Sequence, residues 1–570
     1  MTIISQPKRS DYPYDLGTFG RLITTTSAEA QIWFNRGLTW VYSFNHDEGA
    51  KCFEQAIAHD ESCAIAYWGL AYALGPNYNK SWVVFGDGLK KTIQRTYQAC
   101  QKAKELAPSA TPLEQALISA IQARFQSDQP ADLAQYTAQD RAYADAMEGA
   151  YDAFGDDLDV AVLYADSMMS LTPWKLWNLE TGQPNPGTRT LDAKKVLEKA
   201  LQHKDAYQHP GLLHLYIHLI EMSPTPELGL VPADYLRELV PDAGHVNHMP
   251  SHLDTLVGDY RAAIRANQRA TISDEKFVRL EGVMNFYSNY RMHNYHTLIY
   301  SAMFAGQKHV ALDAVERMEA TLPKELLVQM ADWIEVFLTI RPHVMIRFGM
   351  WNEIISLQIP DDPKLYCATI AAILYAKGIA YAATGNIPEA EKHRDLHNEA
   401  AKLVPESRLD FPNKCVDTIS IATAMLDGEI EYRRGNHTKA FEHLRHSIEL
   451  DDGLGYKEPW SWMQPARHAY AALLLEQDHV EDAATAYRCD LGLDDSVIRA
   501  RQHPNNVWAL QGYHECLLRL GRTAEARVIE PQLKIALAVA DIPIKSSCFC
   551  RTDISPASGV GKTCSGNSCL

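Results

Sequence analysis

The stretch SAEAQIWFNRGLTWVYSFNHDEGAKCFEQAIAHDESCAIAYWGLAYAL, residues 27–74, decides the class of fold. Apolar and small residues recur in it at helical spacing in two blocks, and the pattern breaks around Asn45. The small residues Gly37 and Ala56 and the aromatic residue Phe53 stand where two packed helices need to approach closely. The stretch therefore predicts a helix hairpin.

The offsets of these small and aromatic residues resemble those of tetratricopeptide repeats, which are arrays of helix hairpins. In the last third of the chain the offsets return three times, at Gly378, Gly385 and Ala390, at Gly428, Gly435, Ala440 and Leu444, and at Trp508, Gly512 and Ala524. In the middle they return at Gly258, Ala263 and Ala270. We find no alternating strand pattern flanked by hairpin turns. The sequence therefore predicts an all-α array of helix hairpins.

Interruptions of the helical pattern divide the chain into five predicted segments. The most aromatic interruption is LTPWKLWNLETGQPNPGTRT, residues 171–190, which is rich in Pro and Gly and predicts a loop. The segments are an N-terminal extension (1–26), N-terminal helical repeats (27–170), a central histidine-rich region that contains this loop (171–340), C-terminal repeats (341–541) and a cysteine-containing tail (542–570).

Composition and charge argue against several classes of partner. The 570 residues carry a formal net charge of −17, whereas nucleic acid and anionic lipid need a basic surface. The N-terminus has no apolar signal region, and no uncharged apolar run reaches about 18 residues. Seven of the 11 cysteines are scattered singly, as in proteins of a reducing compartment. We therefore expect a cytoplasmic protein with neither a nucleic acid nor a membrane partner.

The histidines are unevenly distributed. Seven of the 22 lie between residues 203 and 252, where even spacing would place about two. They are His203, His209, His214, His218, His245, His248 and His252. This excess is the feature that most needs a functional explanation.

The first part of the histidine cluster is HPGLLHLYIHLIE, residues 209–221. Pro210 marks a first helical position, so His214, His218 and Glu221 are predicted to share one helix face. Two histidines four residues apart can bind one metal ion because their imidazoles lie on adjacent turns. Taken alone, such a pair of histidines more often has a structural role, with its hydrogen bonds made to other residues, than a role as metal ligands.

The second part is GHVNHMPSHLDTLVG, residues 244–258. Pro250 again marks a first helical turn, which places His252 on the helix and His245 and His248 in the segment that enters it. The positive partial charge of a helix N-terminus disfavours imidazolium and keeps histidine in the neutral form that binds metals. Three histidines within eight residues make a purely structural role the weaker interpretation.

A third element, YRMHNYHTLIYSAMFAG, adds His293 and His296 near the start of a repeat helix. Successive repeats stack equivalent helices side by side, and first helices line the concave wall. The three elements are therefore expected to converge on one histidine-lined cavity near the middle of the array. The predicted ligands are His214, His218, His245, His248 and His252, with His209, His293 and His296 as additions.

The ligand types favour oxygen chemistry. The HExxH arrangement of zinc proteases is absent, and imidazole suits copper, iron and zinc alike. We rank copper first, iron second and zinc third, with room for two ions. The predicted function is a metal-dependent oxidoreductase or oxygenase that acts on a small organic substrate. Glu221 would orient a ligand imidazole or relay protons, and Trp174 and Trp177 would close over the substrate.

Two other functions remain open from the sequence. A non-catalytic scaffold would bind partner peptides on the repeat surface and would contain no metal. A zinc-dependent hydrolase would need a carboxylate within reach of the metal-bound water.

Several motifs together resemble a large family of tetratricopeptide-like proteins found in bacteria and fungi. They are HPGxxHxxIHxxE, GHxxHMPSH, an FNH segment with AYWGLAYALGPN, and SCFCR, spread over residues 28–551. The resemblance implies the helical architecture and implies that these histidines belong together. It implies no reaction.

The tail carries four cysteines, Cys548, Cys550, Cys564 and Cys569, among Gly and Ser residues, and this composition predicts a mobile segment. Cys548 and Cys550 would bind a soft ion, form a labile disulfide or remain a free thiol pair, and the sequence leaves these alternatives open.

Overall fold

The computed structural model describes residues 11–552, and most of these residues are helical. The strands of the described part are a single two-residue hairpin, β1 (Leu409–Asp410) paired with β2 (Asn413–Lys414). The all-α prediction is confirmed. Six short 3₁₀ helices join longer elements, at Trp82–Gly88, Ala107–Ser109, Ala206–Gln208, Pro226–Gly229, Glu335–Thr339 and Arg499–Arg501.

Thirteen α-helices lie between residues 11 and 281. They are α1 (Ala28–Tyr42), α2 (His46–His59), α3 (Ala64–Leu74), α4 (Leu89–Leu106), α5 (Pro112–Gln122), α6 (Leu133–Phe154), α7 (Leu158–Met169), α8 (Thr190–Ala200), α9 (Pro210–Ile220), α10 (Leu230–Leu236), α11 (Gly244–His248), α12 (Pro250–Val257) and α13 (Tyr260–Glu281).

Thirteen further helices follow within the described residues. They are α14 (Tyr287–Phe304), α15 (Lys308–Ala320), α16 (Lys324–Ile334), α17 (Ile340–Arg347), α18 (Trp351–Ser356), α19 (Cys367–Ala383), α20 (Ile387–Ala401), α21 (Cys415–Arg433), α22 (His437–Asp452), α23 (Ala466–Glu476), α24 (Val480–Asp490), α25 (Val507–Arg519) and α26 (Thr523–Val539). None of the described helices is both long and apolar enough to cross a membrane.

The hairpin predicted for residues 27–74 forms from α1 and α2, and α3 begins the next repeat. The Ser27 side chain caps α1 by accepting the Ala30 N–H, and the Asn45 side chain caps α2 by accepting the Glu48 N–H. The break around Asn45 is confirmed. The sequence pattern did not reveal the second break before α3, because residues 64–74 are almost entirely apolar and residues 64–73 are all buried.

Close approach of these helices depends on Gly37. A side chain at this position would place its Cβ 2.8 Å from the Phe53 ring. Gly69 of α3 meets the same ring from another side, where a Cβ would lie 2.5 Å away. Phe53 thus fills a space that both glycines keep open, which is the packing that the repeat pattern predicted.

The hairpins of the last third follow the predicted frame. Helices α19 and α20, α21 and α22, and α25 and α26 pack in pairs. An additional pair, α23 and α24, lies between them, and the small-residue pattern did not identify it. Two large hydrophobic clusters run through the array, one over roughly the first half of the chain and one over the second.

The described part of the tail packs against the array, contrary to the predicted mobility. The Ser547 hydroxyl donates to the backbone oxygen of His468, and Arg347 donates to the backbone oxygen of Ser547. Cys548 and Cys550 form a disulfide. Cys564 and Cys569 lie outside the described residues.

We expect Gly37→Val to destabilise the protein by about 1–3 kcal/mol, because the added carbons overlap the buried Phe53 ring. The measurement is the denaturant midpoint of helical circular dichroism. Gly149→Val is the matched control, because Gly149 lies on the exposed face of α6 with open space at its Cβ position. Equal midpoint shifts in the two variants would contradict the packing role of Gly37.

Candidate metal centre

Three helical elements carry the histidines of the candidate site. Helix α9 begins with Pro210 at its first position, and α12 begins with Pro250, as predicted. His245 and His248 lie on α11, a short helix directly before α12, and not in an irregular segment. Both α11 and α12 pack against α13, and α14 packs beside them.

The first histidine set consists of His214, His218 and His245, whose ligand atoms lie within 4.8 Å of one another. The Nδ1 of His214 is 2.6 Å from the backbone oxygen of Tyr42, and the Nδ1 of His218 is 2.9 Å from Glu221 Oε1. The His214 Nδ1 must therefore donate, because a carbonyl oxygen only accepts, and the His218 Nδ1 donates when Glu221 is a carboxylate; each Nε2 then keeps a free lone pair. Both Nε2 atoms and both ring nitrogens of His245 are buried without a hydrogen-bond partner.

The second set consists of His248, His252 and His293, and its ligand atoms also lie within 4.8 Å of one another. The Nε2 of His252 is 2.6 Å from the Nε2 of His248 and 3.4 Å from the Nε2 of His293. The Nδ1 of His248 lies 2.6 Å from the Asn267 side-chain oxygen, which orients that ring. Three Nε2 atoms thus converge on one point.

The two sets adjoin each other. The ring centroids of His218 and His252 are 5.8 Å apart, and those of His245 and His248 are 5.9 Å apart. The six imidazoles therefore form one contiguous cluster with two places where three ring nitrogens meet. Such a geometry offers two nearby three-nitrogen sites for transition-metal ions.

Glu221 connects the two sets. One carboxylate oxygen accepts from His218 Nδ1 and the other accepts from His252 Nδ1. A second carboxyl group, that of Glu458, lies 3.5 Å from His252 Nδ1 and completes a further buried group of potential ligands with His218, Glu221 and His252. The carboxyl group of Glu458 interacts with that of Glu221, so the two acidic groups share this part of the site.

Burial controls the charge state of the cluster. It lowers the pKa of both His218 and His248 to about 3. Burial also lowers the pKa of the other four histidines well below the usual value, and neighbouring imidazoles add to this effect. These four are His214, His245, His252 and His293. Burial raises the pKa of Glu221 and Glu458. The imidazoles are thus neutral near pH 7, which is the form that binds metal ions.

Phe44 covers the first set. Its ring stacks nearly parallel to those of His218 and His245, with centroids 5.5 Å away in each case, and lies 4.3 Å from the ring of His214. Its backbone has a φ of 56°, a left-handed conformation that is uncommon for an aromatic residue. The ring separates this side of the cluster from the helices behind it.

A cavity of about 220 Å³ opens beside the cluster. His218, His245, His252, His293 and Glu458 reach its surface. Its walls are mainly aromatic and aliphatic, and they include Tyr78, Val83, Val84, Trp174, Phe286, Tyr290, Trp333, Phe337 and Phe411. An apolar cavity with a few convergent polar groups is typical of small-molecule sites.

The two tryptophans of the 171–190 loop have different positions. Trp174 lines the cavity, packs edge-on against Phe411 and donates its backbone N–H to the Tyr78 hydroxyl. Trp177 does not line the cavity, because its indole N–H donates to the backbone oxygen of Leu219 and its ring is buried in the core.

Two of the predicted ligands lie outside the cluster. His209 caps α9 by accepting the Leu212 N–H, and its Nε2 contacts the buried carboxylate of Asp159. The Nε2 of His296 lies 2.7 Å from the Met463 sulfur. Both histidines thus have partners of their own.

The sequence did not identify Phe44 or Glu458 as site residues. Both reach the cluster through tertiary contacts, and Glu458 lies more than 200 residues from the histidine motifs. The FNH segment and the KEPW segment that contain them have no spacing that indicates ligands. The aromatic walls Trp333 and Phe411 were missed for the same reason.

Comparisons with known proteins give little information on function. No protein-family model matches the chain, and no curated protein matches it. Among solved structures, the structure of Naa15/Naa10 bound to HypK-THB has 14% identity and a TM-score of 0.22 and covers 90% of this chain and 70% of its own. Yeast Tom70 has 14% identity and a TM-score of 0.26 and covers 89% of this chain and 92% of its own. TM-scores this low carry no argument about function.

The buried neutral histidines predict a pH dependence of the metal-free protein. The folded state binds fewer protons than the unfolded state between about pH 6.5 and pH 3, so the unfolding free energy falls as the pH drops below about 6.5. Each such histidine contributes up to about 1.4 kcal/mol per pH unit. Denaturant midpoints between pH 5 and 8 measure the slope.

We expect His248→Asn to make this slope shallower, whereas His309→Asn, which changes a largely exposed histidine, serves as the control. A slope in His248→Asn that equals the slope of the unmodified protein would contradict a neutral buried His248.

Proposed function

We propose that this protein is a metal-dependent oxidoreductase whose histidine cluster holds two metal ions beside a substrate cavity. The observation that carries the proposal is the pair of adjoining histidine sets, each with three ring nitrogens within 4.8 Å of one another. Four nitrogens of the first set are buried without partners, which is costly unless a cation or a proton binds them. Three-nitrogen sites of this kind leave coordination positions open for reactants.

Copper is the metal that we propose first. Each of the two three-histidine sets supplies imidazole nitrogen alone, whereas the common non-haem iron site combines two histidines with a carboxylate, a combination that the group of His218, Glu221, His252 and Glu458 offers between the sets. Copper also stands above the other divalent ions in affinity for nitrogen ligands. A pair of copper ions would supply the ability to reduce dioxygen, and iron is the second choice.

The protein residues have separate roles in this proposal. Glu221 fixes the ring orientation of His218 and His252, one from each set, so that both Nε2 atoms face the ions. Glu458 reaches the cavity surface beside His252 and would accept a proton from a bound substrate. Trp174 and the other aromatic walls would bind an apolar organic molecule and exclude water.

A zinc-dependent hydrolase is the second candidate. The absence of a carboxylate beside the ligands weighed against hydrolysis at the level of sequence, and the position of Glu458 removes that objection. Glu458 could act as the base for a metal-bound water. We rank this function below oxygen chemistry because the cavity is largely apolar and the two sets contain only imidazole.

A non-catalytic scaffold is the third candidate. Helix arrays commonly bind partner peptides, and the last helix presents exposed apolar side chains, with Val528 72% and Ile535 63% exposed. This function would account for the surface of α26. It would leave the buried unpartnered histidine nitrogens without a role.

Metal analysis separates the three candidates. We expect the purified protein, reconstituted in turn with copper, iron and zinc, to retain about two copper ions per chain. His214→Ala and His252→Ala should each retain about one ion, because each removes a ligand from one set. His293→Ala should behave like His252→Ala, whereas the matched control His296→Ala on the same helix should retain both ions.

The outcomes differ clearly. Retention of copper together with dioxygen consumption in the presence of a reducing substrate would support the oxidoreductase. Retention of zinc alone would support the hydrolase. No stoichiometric metal after reconstitution would rule out both enzymes and leave the scaffold.

We expect Glu221→Gln to weaken metal retention about 10–100-fold, because its amide cannot accept hydrogen bonds from His218 and His252 at once. Equilibrium competition with a chelator measures the change. Glu335→Gln is the control, because Glu335 is equally buried but pairs with Arg408 away from the histidines. Similar losses of metal in both variants would indicate general destabilisation and would contradict the orienting role.

A further inference from the structure

A second cavity, of about 360 Å³, lies beside the disulfide between Cys548 and Cys550. It shares no lining residue with the cavity at the histidine cluster. Its lining is Lys308, Phe348, Ile542, Pro543, Lys545, Ser546, Cys548, Phe549 and Arg551. The metal centre makes no use of this feature.

The segment that carries the disulfide is anchored independently of the sulfur–sulfur bond. Ser547 is fully buried and is held by Tyr487, His468 and Arg347. Phe549 packs directly on Gly349, where a Cβ would lie 2.7 Å from its ring. These contacts hold the two cysteine Cα atoms 5.2 Å apart. The two thiols therefore stay adjacent when the bond is broken, so the bond can form again.

The two sulfur atoms differ in access. Cys548 is half-buried and lines the cavity, whereas Cys550 is only 3% exposed and does not line it. An incoming nucleophile therefore meets Cys548. Cys550 would then be the leaving group.

The basic residues that line the cavity favour an anionic ligand. Its described lining contains three basic residues and no acidic residue, although the chain as a whole carries a net charge of −17. Arg551 is paired with Glu515. Within residues 11–552 no ion pair engages Lys308 or Lys545, so these two ammonium groups remain available to a ligand.

We propose that this cavity binds an anionic thiol of low molecular mass and that the thiol reversibly reduces the Cys548–Cys550 disulfide. The three observations that support the proposal are an accessible sulfur in the cavity wall, two free ammonium groups beside it and a volume typical of small-ligand sites. The proposal is independent of the metal centre.

The exchange is balanced in two steps. The thiolate of the ligand attacks Cys548 Sγ, a mixed disulfide forms, the Cys548–Cys550 bond breaks, and the Cys550 thiolate takes a proton from water. A second thiolate then attacks the ligand sulfur of the mixed disulfide and leaves as the oxidised ligand dimer, while Cys548 is released as a thiolate that takes a proton from water. Two thiols are oxidised, and one protein disulfide gains two electrons and two protons.

Reduction rates with thiols of different charge test the recognition step. The probes are glutathione, which is net negative, 2-mercaptoethanol, which is neutral, and cysteamine, which is positive, each compared at equal thiolate concentration. We expect glutathione to react about tenfold faster than cysteamine at low salt. The double variant Lys308→Ala/Lys545→Ala should reduce this difference to about twofold and should slow 2-mercaptoethanol, whose thiolate carries one negative charge, less than it slows glutathione.

The control for this experiment is Lys204→Ala/Lys534→Ala, which removes two exposed lysines outside the cavity and should keep the full difference. Equal thiolate-corrected rates for all three thiols with the unmodified protein would overturn the proposal. So would an equal loss of the difference in both double variants.

Peptide mass spectrometry tests which sulfur is attacked. After incubation with oxidised glutathione, Cys550→Ser should carry glutathione on Cys548, because that thiol faces the cavity. Cys548→Ser should leave Cys550 unmodified, because that thiol is buried. Equal modification of Cys550 in the second variant would overturn the assigned direction of attack.

Discussion

The two hydrogen bonds that Glu221 accepts join the halves of the histidine cluster. One donor, His218, lies on α9 and the other, His252, on α12, so one buried carboxylate sets ring orientation in both sets. Among residues 11–552 no lysine or arginine forms an ion pair with this group, and Lys457, the basic residue that lines the adjoining cavity, is paired with Asp410. Glu458 adds a second acidic group at 3.5 Å from His252. Two carboxyl groups and six neutral imidazoles therefore form a site whose electrostatics favour a cation.

The helical array supplies the rigidity that such a site needs. Its members come from residue 44 to residue 458, and the six histidines lie on helices that are packed by neighbouring helices, whereas Glu458 lies in the segment between α22 and α23. Helix α13 packs against α11, α12 and α14. The three helices that carry the second histidine set are therefore supported by one element. Asn267 of α13 also orients His248 directly. Side chains held by independent packing keep their positions even when their nitrogens lack partners.

The helices and much of the histidine cluster could be predicted from sequence because both follow local rules. Pro210 and Pro250 start helices, and the spacing of four residues places His214 with His218 and His248 with His252. The same rules could not show that His214 belongs to the cluster and His209 does not, because only the fold brings Asp159 to His209. They also could not separate His293 from His296, which lie on one helix but contact different partners. Glu458 and Phe44 were out of reach because their contacts depend entirely on tertiary structure.

The unpartnered nitrogens constrain what the cluster can bind. Leaving one buried polar group unsatisfied costs about 1–3 kcal/mol, and the first set alone contains four such nitrogens. A proton supplies a hydrogen bond to one nitrogen or to one pair of nitrogens, but it adds a buried positive charge. A metal ion at the point where three nitrogens converge relieves three at once, and the nearby carboxyl groups offset its charge. Since the unfolded chain lacks this convergence, an ion bound there stabilises the folded state by mass action. Buried polar atoms without partners also occur elsewhere in the described residues, but in the first histidine set four of them lie together where one ion could satisfy three, which is the kind of local departure from burial rules that functional sites show.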